Sequence, residues 1–114
     1  MNPAVDPAAI TALRELNPEE PGFLRELIDV FLDDVPQRIA ELEKSLATTD
    51  ASLLTRAAHT IKGSSSNFGA AGLVQVSLEL EKLGKTGDFA AATALVPRLK
   101  SEFALVTEAL QQLR

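Results

Sequence analysis

His59 is the only histidine in the 114-residue chain. A neutral imidazole, with a reference pKa of about 6.5, offers a nucleophilic ring nitrogen near neutral pH. Lys62 follows one helical turn later, where its ammonium can reach an oxygen of a phosphoryl group on the ring and offset its charge. Gly63, beside that lysine, leaves space an incoming group must occupy. Arg56, one turn before the histidine, and Ser66, two turns after it, are accessory candidates, Ser66 the more remote. These residue types suit one chemistry: nucleophilic capture of a phosphoryl group and its later release.

That chemistry requires the ring to face outward. At roughly 100° per residue, Leu54, Ala57, Ile61, Ser65 and Phe68 fall on one side of a helix, with His59 nearly opposite. Ser52, Thr55, Arg56, Lys62, Gly63 and Ser66 surround it on the outer side. Position alone fits an exposed histidine with no task, which is the commoner case, but its neighbours argue otherwise. A glycine inside a helix costs about 1 kcal/mol relative to alanine, and the serines and asparagine of Ser64-Ser65-Ser66-Asn67 add several tenths each. Such residues weaken a helix unless something else requires them.

The surrounding sequence is helical throughout. Alanine and leucine dominate, and apolar residues recur every three or four positions. Asp6-Pro7 reads as an N-cap and first-turn proline, opening a short helix that ends near Leu16. After the turn Asn17–Gly22 a long helix carries Leu24, Leu27, Phe31, Val35, Ile39, Leu42 and Leu46, with Pro36 expected to kink it rather than break it. Asp50 caps a third helix running to about Asn67, and Phe68-Gly69 ends it. A fourth runs from about Ala70 to Leu83 with Leu73, Val76, Leu80 and Leu83 on one stripe. Gly84-Lys85-Thr86-Gly87-Asp88 reads as a glycine turn. The last carries Leu95, Leu99, Phe103, Val106, Leu110 and Leu113, with Pro97 kinking it or splitting off a first piece. Short loops between long amphipathic helices favour an all-α, up-down antiparallel four-helix bundle with a short extra N-terminal helix.

Bulk properties narrow the function. The length suits one domain over residues 1–114. No stretch approaches the roughly 18 apolar residues of a membrane span, and Met1–Asp6 lacks the basic start of a secretory signal, so a cytoplasmic location is expected. A net charge of −5 argues against a nucleic-acid binder. Within it, Ala51–Gly87 holds Arg56, Lys62, Lys82 and Lys85 against only Glu79 and Glu81, a net of +2. A locally positive segment suits a phosphoryl group or an acidic partner, although scattered solvated charges would read the same. One histidine and no cysteine leave too few ligands for a metal site. No phosphate-binding Gly-x-x-x-x-Gly-Lys-[Ser/Thr] loop is present, so a partner must bring the activated phosphate and its Mg²⁺.

The run from His59 to Ala70 resembles the signature of histidine-containing phosphotransfer (HPt) domains, His-x-x-Lys-Gly-Ser-Ser-x-x-hydrophobic-Gly-Ala, with every defined position present. The long second helix with its central proline, the approach Asp50, Leu54 and Ala57-Ala58, and Leu80–Gly84 followed by Gly87-Asp88 are also similar to that family. The likeness spans roughly 16–113. It implies that His59 accepts a phosphoryl group from an aspartyl phosphate on a response-regulator receiver domain and passes it to another, with Lys62 orienting phosphate and Gly63 making space. It implies no kinase activity and no cofactor of the chain's own. In some relatives a glutamine on the neighbouring helix meets the imidazole. Glu81 stands at that place here, either holding the ring N–H or solvated like any helix residue.

Two other functions compete with this one. A receiver-binding adaptor without phosphate has no reason to keep His59, Lys62 and Gly63 together. A phosphorylation domain cut from a hybrid or chemotaxis-type histidine kinase would carry the same motif. The start at Met1 and the end soon after Leu113 favour a free-standing protein, and a bundle with its own core favours a monomer. A hybrid histidine kinase is a further possible partner.

Overall fold

Asp6 opens the first helix by accepting a hydrogen bond from the Ala8 N–H at 2.9 Å, and Pro7, which has no N–H to leave unsatisfied, takes the next position. The structure is a computed structural model describing residues 4–114. Met1, Asn2 and Pro3, on which the expected lack of a signal segment partly rests, lie outside the described residues. Five helices follow in order: α1 Pro7–Leu16, α2 Phe23–Ala47, α3 Ala51–Ser66, α4 Ala71–Thr86 and α5 Phe89–Gln111. The described residues contain no strand, and the all-α class read from the sequence holds.

Each of α2 to α4 packs against the next helix, and α5 returns to α2, so four helices enclose one core while α1 rests on α2. Each helix contributes one apolar stripe. Ile28, Val35 and Leu42 of α2 meet Leu54 and Ile61 of α3, Leu73 and Leu80 of α4, and Leu99 and Leu110 of α5, all fully buried. Burying a side chain of this size is worth about 1.5–3 kcal/mol. The core also reaches back past Leu16, because Val5 and Ile10 are buried with it. The Asp6 N–H donates to the Phe68 carbonyl at 3.1 Å, which ties the start of α1 to the end of α3. Phe31 meets Phe68 edge-on, with ring centroids 5.0 Å apart.

The helix boundaries bring one correction. Gly84, Lys85 and Thr86 are not a turn but the last residues of α4. Gly84 does not stop the helix. It lets α3 and α4 approach, since a Cβ there would strike the Thr55 hydroxyl and lie 2.9 Å from the Thr55 backbone nitrogen. Gly87 ends α4 instead, at φ 72°, and its N–H bonds back to the last turn. Asp88 then caps α5 by accepting from the Ala91 N–H at 3.1 Å. α2 continues through Pro36, and α5 continues through Pro97 without shedding a separate first piece. Both proline rings are exposed.

Candidate functional site

α3 begins where Asp50 accepts from the Leu53 N–H at 3.0 Å, and its apolar face buries Leu54, Ala57, Ala58, Ile61 and Ser65. His59 therefore points outward, and its side chain is 66% exposed. The serine run divides by helical position. Ser65 is buried and satisfied by donating to the Ile61 carbonyl, Ser64 is half-buried and Ser66 is exposed.

The close approach at Gly84 and Thr55 brings Glu81, one turn earlier on α4, against the ring. Glu81 Oε2 lies 2.9 Å from His59 Nδ1, and Oε1 accepts from Lys62 Nζ at 2.6 Å. Lys85, one turn beyond Glu81, brings its ammonium within 3.8 Å of Oε2. Glu81 is only 6% exposed, so it is not the solvated helix residue that the sequence left open. A buried carboxylate flanked by two ammonium groups and an imidazole is a built anionic anchor.

The hydrogen bond from Lys62 holds the Glu81 carboxyl below its ordinary value of 4.5, and His59 adds to the effect while burial opposes it. Glu81 is therefore ionised at neutral pH and can only accept hydrogen bonds. Nδ1 of His59 must then carry the ring proton, an assignment that follows from the network. The lone pair is left on Nε2, which has no protein partner among the described residues.

The other sequence candidates fall into two groups. Around Gly63 nothing lies within 4 Å of where a Cβ would stand, so its surroundings are open, in keeping with a space-making role. Arg56 is exposed and lines the shallow cleft between α3 and α4 with Ser52, Thr55, His59 and Glu81. Lys62 is turned to Glu81 rather than extended toward open solvent, and its side chain is 26% exposed. The structure does not bring Ser66 to the ring: its hydroxyl donates to the Lys62 carbonyl at 2.9 Å. Lys85 escaped the sequence reading, although its place four residues after Glu81 was the available signal. Leu16 and Val30, 71% and 66% exposed, were also missed. They border an apolar groove with Leu13, Leu27, Ser64 and Asn67.

A helical bundle displaying one carboxylate-anchored imidazole defines the class, and the comparisons give the family. Residues 26–114 match the family model of the Hpt domain, and the chain belongs to that family. It is 29% identical over 83 residues to the phosphorelay intermediate protein YPD1 of Candida albicans, covering 73% of this chain and 44% of that protein. It is 32% identical over 83 residues to the phosphorelay intermediate protein rdeA of Dictyostelium discoideum, covering 73% of this chain and 33% of that protein. Each match thus spans less than half of the relative's length. Among solved structures, it superposes on histidine-containing phosphotransfer protein B (HptB) of Pseudomonas aeruginosa PAO1 with a TM-score of 0.89 at 33% identity, covering 98% of this chain and 95% of that one. The maize histidine-containing phosphotransfer protein ZmHP2 shares the fold, with a TM-score of 0.85 at 24% identity over 96% of this chain and 81% of that one.

Proposed function

We propose that this chain is a phosphorelay carrier: Nε2 of His59 takes a phosphoryl group from an aspartyl phosphate on a receiver domain and gives it to another receiver. The observation that carries this reading is the Nδ1 contact with Glu81, which leaves the nucleophilic lone pair on the exposed side of the ring. Lys62, now on Glu81, is close enough to turn toward a phosphoryl oxygen, and Gly63 leaves the approach open. The chain supplies no kinase machinery in this scheme. The receiver brings the activated phosphate and the Mg²⁺.

The receiver rests on the face bearing His59. Helical spacing leads from His59 through Gly63 to Asn67, which edges the groove bordered by Leu16 and Val30. An apolar border beside a polar reaction centre suits a partner that must dock, react and leave. The carrier works in the cytoplasm, where receivers and hybrid histidine kinases present their phosphorylated domains, and it acts as a monomer. No described helix is long and apolar enough to cross a membrane.

Incubation with a phosphorylated receiver tests the reading. The wild type should gain one label that is labile in acid and stable in alkali, and His59→Gln should gain none. A variant lacking His59 that still took the label would overturn the assignment.

A further inference from the structure

The two sides of His59 around α3 are not equivalent. At roughly 100° per residue, Thr55 and Lys62 lie about 40° and about 60° to one side of it, and Gly63 and Arg56 lie about 40° and about 60° to the other. α4 packs on the first side, where Gly84 lies against Thr55 and Glu81 accepts from Lys62 at 2.6 Å. Glu81 also lies 2.9 Å from Nδ1, so the ring presents Nδ1 to α4. Nε2, on the far edge of the imidazole, therefore faces the side that holds Gly63 and Arg56.

Gly63 offers that side only space, since nothing lies within 4 Å of where its Cβ would stand. Arg56 offers charge. Its side chain is exposed, lines the same cleft as His59, and makes no ion pair or hydrogen bond among the described residues. Lys62 and Lys85, by contrast, are both turned to Glu81. Lys62 can reach a phosphoryl group on Nε2 only by leaving a carboxylate that is 6% exposed, which takes a counter-charge from a buried anion. Arg56 has no partner to leave.

We propose that Arg56 is a catalytic residue of the relay, its guanidinium binding the phosphoryl oxygens while phosphorus moves between Nε2 of His59 and the receiver aspartate. The inference rests on the carrier reading above. In the gain of phosphate, the Nε2 lone pair forms the N–P bond while the P–O bond to the donor aspartate breaks, its electron pair staying on the carboxylate. In the loss, a carboxylate oxygen of the acceptor attacks phosphorus and the N–P electron pair returns to Nε2. Arg56 gives up no proton in either step. Both steps pass through an in-line arrangement that spreads negative charge over the three non-bridging oxygens. A planar guanidinium presents two parallel N–H donors and can take two of those oxygens at once, which the point charge of an ammonium cannot match.

Single-turnover transfer, followed in both directions against rising receiver concentration, separates this role from docking. Arg56→Ala should lower the maximal rate roughly ten- to a hundredfold in both directions, less than for a donor in a closed site because Arg56 faces solvent. The receiver concentration at half-maximal rate should change little. Arg56→Lys keeps the charge without the fork and should fall between Arg56→Ala and wild type. Guanidinium ion, well below denaturing concentration, should restore part of the Arg56→Ala rate, whereas an equal concentration of potassium chloride should not. Because the side chain is exposed, melting temperatures should stay close to wild type. Arg56→Lys carries the test alone if Arg56→Ala does not fold. An unchanged maximal rate, or a raised half-maximal concentration with no loss of maximal rate, overturns the inference and leaves the carrier reading standing. Equal restoration by both salts does the same. A wild type that takes no label from any phosphorylated receiver overturns both.

Discussion

At the scale of single residues, the site depends on one buried carboxylate. The sequence alone pointed to His59, Lys62 and Gly63, because a lone histidine, a lysine one turn away and a costly helical glycine are local signals. Glu81 was reached only through the family resemblance, with its role open, and Lys85 not at all, because both lie about twenty residues further on and their role depends on how closely two helices pack. The consequence for stability has a definite sign. The folded Glu81 carboxyl is held below its ordinary value of 4.5, mainly by Lys62. Its contribution is therefore fully present above that value and is lost as pH falls through the lowered one. Thermal midpoints followed on acidification should fall more steeply for wild type than for Glu81→Gln below about pH 4.5, so that their difference shrinks. Parallel curves would show that Glu81 adds no such term. Lys62→Ala should slow phosphotransfer on the order of a hundredfold, the scale of losing one aligned cation, while far-ultraviolet circular dichroism stays close to wild type. Loss of the helical signal would make Lys62 structural instead.

At the scale of helices, two glycines near the site have opposite duties, and sequence spacing read only one of them. Gly63 is open on its outer side. Gly63→Ala should raise stability by up to about 1 kcal/mol through helix propensity alone, while transfer slows because the methyl crowds the approach to His59. A raised melting temperature with unimpaired transfer would contradict the space-making role. Gly84 looked like a turn signal because glycines cluster there, but it is a contact point between α3 and α4. Gly84→Ala should cost about 1–3 kcal/mol by overpacking against Thr55. It should also slow transfer by moving α4, and Glu81 with it, away from the ring. Calorimetry on the two variants should therefore give shifts of opposite sign. The caps at Asp6 and Asp50 were legible because an acidic residue before an apolar periodic run has a purely local cause, whereas Asp88 read as part of a glycine turn and its cap emerged only in the structure. The uninterrupted passage of α5 through Pro97 was not, since tertiary packing decides whether a proline ends a helix or is carried by it.

At the scale of the whole molecule, the bundle is a rigid holder for one exposed ring, and most of it was legible from apolar periodicity alone. What escaped was the surface beside the site. Val30 lies off the apolar stripe of α2 and Leu16 ends α1, and nothing in a periodic pattern distinguishes a stray surface leucine from half of a docking edge. Val30→Glu and Leu16→Glu should raise the receiver concentration needed for half-maximal transfer while leaving the melting temperature nearly unchanged, since neither side chain is buried. Unchanged concentration dependence in both variants would place the receiver elsewhere. The central claim of the proposed carrier is narrower: with Glu81 on Nδ1, phosphate is to be carried on Nε2. Phosphorus–nitrogen correlation NMR on the phosphorylated, nitrogen-15-labelled protein reads this directly. A single phosphoramidate bonded to Nε2 of His59 is the predicted result. Phosphorus on Nδ1, or on any other residue, would contradict it.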